Sequence, residues 1–277
     1  MKVCELLSDG TAQLKAANGE SPFVDARLLL AHALGKSKEW LIIHDHDSVA
    51  EPEIENYKFM IDRRKKGEPV AYIVGYRDFW DLKLRCNNTT LIPQPDTEVL
   101  VERALKYANK NSSILDLGTG TGAVALALKR ELPGAMIEGV DLFEDVVKLA
   151  ETNAILNNLA VEFKVSNWFS AVEGKFDLIV ANPPYIAPDD EHLSCGDVRF
   201  EPETALVAAE NGLSDLRSIV EQSSDFLNDQ GILLVEHGYD QGASVRALFK
   251  EHGFKKVVTT VDYGGNDRVT EGVFYEC

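Results

Sequence analysis

The chain has 277 residues, of which 45% are hydrophobic and 26% charged, a balance that excludes a disordered or collagen-like protein and leaves room for a sizeable core. Its formal net charge of -17 opposes a phosphate backbone at long range, which disfavours sequence-independent nucleic-acid binding and favours a protein or small-molecule substrate. The cysteines Cys4, Cys86, Cys195 and Cys277 are scattered, with no Cys-x-x-Cys pair and no disulfide rhythm, and no segment reaches the roughly 18 to 20 apolar residues of a membrane span. The opening MKVCELLSDG carries no long apolar stretch with a cleavage site. A reducing, cytoplasmic setting, neither exported nor membrane-embedded, is expected.

Apolar residues at helical spacing (Val24, Leu28, Leu29, Leu30, Ala33) predict a helix over Phe23 to Leu34, stopped by Gly35. A second helix is expected over Lys38 to Ile43. A third runs from Glu51 to Lys66, with Pro52 in its first turn and Arg63-Arg64-Lys65-Lys66 as a solvated basic end that complements the helix dipole before Gly67. From Tyr72 to Ile92 the pattern becomes aromatic and alternating (Phe79, Trp80, Leu82, Leu84), predicting a hairpin-like connector with a turn at Asn87-Asn88. Pro93-Gln94-Pro95-Asp96 breaks the chain, and Asp96 or Thr97 is expected to cap a helix through Leu105.

After Asn111 strand and helix alternate: Ser113 to Leu117, Ala123 to Glu131, Met136 to Val140, Asp145 to Asn157. That order produces a parallel sheet with right-handed crossovers. Further strands are expected at Val161 to Val165, Phe176 to Ala181, Gly231 to Glu236, Lys256 to Thr260 and Thr270 to Tyr275. The expected organisation is a helical domain over 1–74, a hairpin connector over 75–95 and an α/β domain over 96–277.

The turn after the first of these strands, Asp116-Leu117-Gly118-Thr119-Gly120-Thr121-Gly122-Ala123, lacks side chains where a ligand would touch backbone. It also satisfies G-x-G-x-x-A, so dinucleotide binding competes with S-adenosylmethionine binding. Asp116 tilts the choice, because a carboxylate there suits an ammonium group and not a pyrophosphate. Asp141, after the next strand, is placed to accept from two ribose hydroxyls under either reading. Asn167 and Trp168, after a third strand, offer a hydrogen-bond partner and an aromatic face for adenine; the competing reading is a strand end with a core tryptophan.

Phe176 to Ala181 runs into Asn182-Pro183-Pro184-Tyr185. Consecutive prolines stiffen the backbone and remove its donors, leaving carbonyls to accept. An amide or exocyclic amine nitrogen is a poor nucleophile because its lone pair is delocalised. Accepting its two hydrogens on the Asn182 side-chain oxygen and the Pro183 carbonyl would aim that lone pair at a methyl donor, with Tyr185 stacked on the planar group. No general base is assigned, since the proton can leave after transfer. The competing reading of the tetrapeptide is a stiff strand-to-loop turn.

The glycine turn and Asn182 to Tyr185 resemble class I, Rossmann-like methyltransferases of planar nitrogens. Leu91 to Glu98, Gly196 to Pro202, Glu236-His237-Gly238 and Gly265 to Val269 narrow the resemblance to the HemK or PrmC family of bacterial release factor glutamine N5-methyltransferases. The resemblance spans nearly the whole chain. It implies a seven-stranded methyltransferase domain behind a small helical domain that helps dock the substrate. It further implies S-adenosyl-L-methionine as methyl donor, S-adenosyl-L-homocysteine as product, and the Gly-Gly-Gln glutamine of class I peptide-chain release factors as target. Cofactor contacts carry over to Gly118 through Gly122, Asp141, Trp168 and Asn182, and substrate contacts to Asn182, Pro183, Pro184 and Tyr185. Gln94 and Asn167 depart from the family pattern, which has arginine and aspartate there. A monomer without metal or direct nucleic-acid contact is expected.

Two other function classes fit parts of the pattern. An adenine-N6 methyltransferase of nucleic acid needs the same acceptor platform, but the acidic charge and the lack of a basic base-reading module oppose it. A non-catalytic cofactor-binding scaffold is opposed by the intact Asn182 and glycine turn. His44 and His46, for which a metal site competes, His192 with Cys195, and His237 read as loop or strand-end residues; Arg199 and Arg268 read as partners of nearby carboxylates, with shaping of the substrate pocket as the competing reading.

Overall fold

In the computed structural model, which describes residues 1–276, the contacts divide the chain into two units. One comprises Met1–Tyr76 with Ser194–Phe200; the other comprises Arg77–Leu193 and the chain from Glu201 onward. Cys277 lies outside the described residues.

The first unit is helical: α1 (Val3–Ala16), α2 (Pro22–Leu34), α3 (Lys38–Ile43), α4 (Glu51–Lys65) and α5 (Val70–Val74). Gly35 ends α2 in the left-handed region at φ 61°, as its position predicts, and the Ser37 hydroxyl caps α3 by accepting from Trp40 N at 3.1 Å. Helix α1 is absent from the sequence reading, because Ser8, Asp9, Gly10 and Thr11 interrupt it with poor helix formers. Its buried stripe of Val3, Leu6, Gly10 and Leu14 nevertheless has helical spacing. A Cβ on Gly10 would lie 2.0 Å from the Tyr57 hydroxyl, so glycine is what lets α1 approach α4.

The basic end of α4 is only partly solvated. Arg64 is 13% exposed and bonds Asp25 at 2.8 Å and Asp197 at 2.7 Å, which ties the Ser194–Phe200 segment to the helices. Burial among carboxylates overrides the expected role at a solvated helix end.

A hairpin follows, of β1 (Tyr76–Phe79) and β2 (Leu82–Arg85), which from Arg77 onward belongs to the second unit. Its turn is at Trp80-Asp81 and not at Asn87-Asn88. Trp80 takes a left-handed φ of 56°, held there because its N–H donates to Glu98 and its indole to Glu131 at 2.9 and 2.7 Å. Asn87 instead closes a local turn, accepting from Thr89 N.

Helix α6 (Glu98–Leu105) follows a 3-10 turn over Pro95–Thr97, and neither side chain caps it. Then come β3 (Ser113–Leu117), α7 (Ala123–Glu131), β4 (Met136–Asp141), α8 (Glu144–Asn157), β5 (Glu162–Val165) and β6 (Phe176–Ala181). After them lie α9 (Ala209–Gly212), α10 (Ser214–Ser223), β7 (Leu227–Glu236), α11 (Gly242–Glu251), β8 (Lys255–Val261) and β9 (Asp267–Val273). Helices α10 and α11 are additions to the sequence reading. Strand β7 begins earlier than Gly231, passing through left-handed Gln230, and β9 lies earlier than Thr270 to Tyr275.

The seven-stranded sheet has the order β5-β4-β3-β6-β7-β9-β8, with β9 antiparallel to both its neighbours. Alternate residues feed two cores: Ile114, Leu178 and Val180 pack with α6, α7 and α8, while Leu115, Leu117 and Ile179 pack with α10 and α11. The order reverses at β3, between β4 and β6. Ligands of such sheets bind beyond the carboxyl ends of the strands at that point.

Candidate active site

Where β3 ends, Gly118, Gly120 and Gly122 alternate in the left-handed region at φ 67°, 55° and 81°. An L side chain is strained in each, and a Cβ on Gly118 would meet the Trp168 ring at 3.3 Å. The loop is tied by Thr119 N donating to Val140 O at 2.9 Å and by the buried Asn153 amide donating to Thr121 O at 2.9 Å. Asn153 also holds the backbone of Arg85, so β2 buttresses the glycine turn.

Asp116 lines the cavity in front of this turn but is only 2% exposed. Its Oδ2 accepts from the Thr119 hydroxyl at 2.7 Å and from Ala125 N at 3.2 Å, and burial pushes its carboxyl up to about 7. Fastening the turn is thus a task of Asp116 that the motif alone does not reveal. Asp141, at the end of β4, accepts from Gly120 N at 3.0 Å and Phe143 N at 3.4 Å, and burial raises its pKa also. Each of its oxygens keeps a lone pair for a further donor.

The cavity encloses about 250 Å³. Thr119, Gly120, Asp141, Asn167, Trp168 and Asn182 meet on its wall with Asp116, Gly118 and Thr121, whereas Gly122, also expected to hold the cofactor, does not line it. Trp168 is held at a left-handed φ of 47° by Ser166, whose hydroxyl donates to its carbonyl at 2.7 Å. Its side chain also bonds Asp215, whose pKa burial raises. Leu142 and Phe143 add exposed apolar surface beside Asp141. Sequence reasoning passed over these two and Asp215. Two bulky apolar residues following an acidic strand end were the available signal for the pair; Asp215 sits in an unremarked helix start.

Asn182 follows β6 directly. Its Nδ2 donates to Thr97 Oγ1 at 3.1 Å, which turns Oδ1 away from Thr97. Of the remaining tetrapeptide, Pro184 lines the cavity, whereas Pro183 is buried. Tyr185 lies outside the lining: its ring packs on the core under α10 and α11, and its hydroxyl donates to Glu236 Oε1 at 3.4 Å. Its carbonyl accepts from Gln241 Nε2 at 2.9 Å. Both ends of Tyr185 are thus anchored.

Glu236, the last residue of β7, is 2% exposed, and burial pushes its carboxyl up to about 7 against the opposing effects of Thr97, Arg268 and Tyr185. Arg268 bonds Asp262 at 3.0 Å and lies 3.5 Å from Asp96, so it pairs with carboxylates as expected. Arg199 differs, donating to the Lys66 carbonyl at 3.3 Å. His237 is fully buried between the Gly238 carbonyl and the Thr270 hydroxyl, each at 2.8 Å, and burial lowers its pKa. Among the described residues, no three His, Cys, Asp or Glu side chains are grouped to hold a metal ion, and no helix is long and apolar enough to cross a membrane.

Comparison with known proteins bears on the family. The PrmC N-terminal domain matches residues 5–75, and the methyltransferase small domain matches residues 94–201. A release factor glutamine methyltransferase of Aliivibrio fischeri is 50% identical over 271 residues, covering 96% of this chain and 95% of its own length. That of Escherichia coli K12 is 46% identical over 275 residues, covering 98% of each. Among solved structures, a methyltransferase from Pyrococcus furiosus superposes with a TM-score of 0.55 at 17% identity, over 70% of this chain and 90% of its own, a likeness of fold alone. With near-complete coverage at half identity and the site assembled on the expected strands, the chain belongs to the release factor glutamine methyltransferase family.

Proposed function

We propose that this chain transfers a methyl group to the side-chain amide nitrogen (N5) of the glutamine in the Gly-Gly-Gln loop of class I peptide-chain release factors, acting as a monomer in the cytoplasm. The observation that carries the reading is the Asn182 amide, whose Nδ2 donates to Thr97 and whose oxygen is left for an incoming N–H on the wall shared with the glycine turn. The residues present fit S-adenosylmethionine: the backbone of Gly118 to Gly122, the Asp141 carboxylate with lone pairs to spare, and the Trp168 face would hold it. When bound it supplies a methyl group on a positively charged sulfur.

The protein's own contribution is geometric. The Asn182 oxygen and the Pro183 carbonyl accept the two amide hydrogens, which fixes the nitrogen and directs its lone pair along one line. Alignment of this kind supplies on the order of 7 to 11 kcal/mol of a barrier. The stiff Pro183-Pro184 backbone and the anchored Tyr185 limit motion of those acceptors. No strong base is needed, because the amide proton becomes acidic once the nitrogen is alkylated and can pass to solvent.

The test is transfer of labelled methyl from S-adenosylmethionine to a purified class I release factor, to the same factor with its loop changed to Gly-Gly-Ala, and to adenine-containing DNA. Label on the native factor alone supports the reading. Equal label on the altered factor, or label on DNA, points to a different target for the same chemistry.

A further inference from the structure

Strand β5 ends at Val165, and its ladder with β4 runs on by one bond, Ser166 N donating to the Asp141 carbonyl at 2.8 Å. That bond sets the place of the Ser166 side chain, which is 4% exposed and lies on the cavity wall. A serine hydroxyl has a single hydrogen and two lone pairs. Here the hydrogen goes to the Trp168 carbonyl at 2.7 Å, which can only accept, and the oxygen accepts from Ala171 N at 3.0 Å. Ser170 completes the turn. Its Oγ accepts from Asn167 N at 3.0 Å and lies 3.4 Å from Ser166 Oγ. Because the Ser166 hydrogen is already committed to Trp168, Ser170 is the donor of that pair.

The residue held by this turn is in a conformation that its own side chain opposes. Trp168 stands at a φ of 47°, in the left-handed region, where a bulky L residue is strained. Rotation about φ sets where the Cα–Cβ bond points relative to the strand before it. At 47° the indole reaches back to the glycine turn, so that a Cβ on Gly118 would lie 3.3 Å from its Cζ3 and 3.6 Å from its Cη2. Relaxation to a negative φ would carry the ring off that turn. The Ser166 hydroxyl opposes the relaxation by tying down the Trp168 carbonyl.

We propose that Ser166 is a positioning residue for S-adenosylmethionine: its hydroxyl keeps Trp168 left-handed, and so keeps the indole beside Gly118 to receive the adenine. The proposal rests on the cofactor reading given above. Ser166 thereby governs affinity for the cofactor and not alignment of the substrate amide, which is the task of Asn182 on a different strand end.

The experiment is a double-mutant cycle in the full chain. The Kd for S-adenosylmethionine is measured by isothermal titration in wild type, Ser166→Ala, Trp168→Ala and the double variant, with kcat for a class I release factor at saturating cofactor. Ser166→Ala should weaken binding about 5- to 10-fold, the scale of one or two lost hydrogen bonds, and leave kcat within about twofold. Trp168→Ala should weaken binding at least as much, and adding Ser166→Ala to it should cost less than about twofold more, because residues that act through one contact are not additive. A merely structural role for the hydroxyl gives the same loss with and without the indole. Wild-type Kd in Ser166→Ala, or equal losses in both backgrounds, overturns the proposal. Should a denaturant melt show Ser166→Ala unfolded, Ser170→Ala takes its place in the cycle, since that side chain is exposed. Its expected loss is about two- to fivefold and confined to chains that keep Trp168; a loss independent of Trp168 overturns the proposal equally. A wild-type chain that does not bind S-adenosylmethionine defeats the cofactor reading itself. Unchanged Kd in Trp168→Ala defeats the place of Trp168 in that reading together with this inference. Binding weakened by Trp168→Ala but not by Ser166→Ala defeats this inference alone.

Discussion

The Asn182 side chain donates from Nδ2 to Thr97 Oγ1 at 3.1 Å, which leaves its Oδ1 for another donor. If that offered oxygen orients the nucleophile, Asn182→Ala should lower kcat on the order of 100-fold while the Kd for S-adenosylmethionine changes much less. Single-turnover kinetics with a release factor, beside calorimetric titration of the cofactor, checks the split. Equal losses in both would assign Asn182 to cofactor binding alone.

Asp141 differs in kind. Its carboxylate organises Gly120 and Phe143 and keeps acceptor capacity for hydroxyl hydrogens. Asp141→Ala should weaken cofactor binding by about 1.5 to 3 kcal/mol, the scale of a hydrogen bond to a charged group, or roughly 10- to 100-fold in Kd. Isothermal titration measures this directly, and unchanged affinity would remove Asp141 from the cofactor site.

Burial raises the Glu236 carboxyl to about 7, well above an ordinary glutamate. The folded protein therefore holds this proton more tightly than the unfolded chain. The resulting stability is present in full below the unfolded pKa and is lost as pH rises through about 7. Glu236→Gln removes the cost of burying the charge, so its unfolding midpoint should exceed that of wild type at pH near 8. The gap, on the order of 2 to 3 kcal/mol at most, should close towards pH near 5. Denaturant melts at the two pH values test the sign; a gap that widens on acidification would mean the carboxyl is not raised.

Arg64 joins Asp25 and Asp197 while itself largely buried. Arg64→Ala leaves the Asp25 carboxylate buried without its partner. The expected loss is about 2 kcal/mol, below the range for a fully buried pair because Asp197 is half exposed. Hydrogen exchange should show the Ser194–Phe200 backbone losing protection first. Unchanged protection there would show that other contacts hold the segment.

Most of the elements that position the site could be read from the sequence because their signals are local. Strand, glycine turn and helix follow one another from Ser113 to Glu131, and strands β3 and β6 run from Ser113 and Phe176 as their apolar runs predict. What stayed hidden depends on contacts distant in sequence. Helix α1 is carried by burial against Tyr57 in spite of Gly10 and weak helix formers. The hairpin turns at Trp80, a poor turn residue, because Glu98 and Glu131 hold it there. Thr97 looks like a helix cap in its own segment, yet it bonds Asn182, 85 positions away. Glu236 ends an apolar strand, and only the fold shows that it meets the Tyr185 hydroxyl, 51 positions away.

The most direct test of the account is mass spectrometry of the loop peptide from a class I release factor after incubation with S-adenosylmethionine and either the wild-type chain or Asn182→Ala. The account predicts a single methyl group on the side-chain nitrogen of the Gly-Gly-Gln glutamine with the wild-type chain, and little or none with the variant in the same time. A methyl group on any other residue, or the same glutamine methylated equally fast by Asn182→Ala, would contradict it.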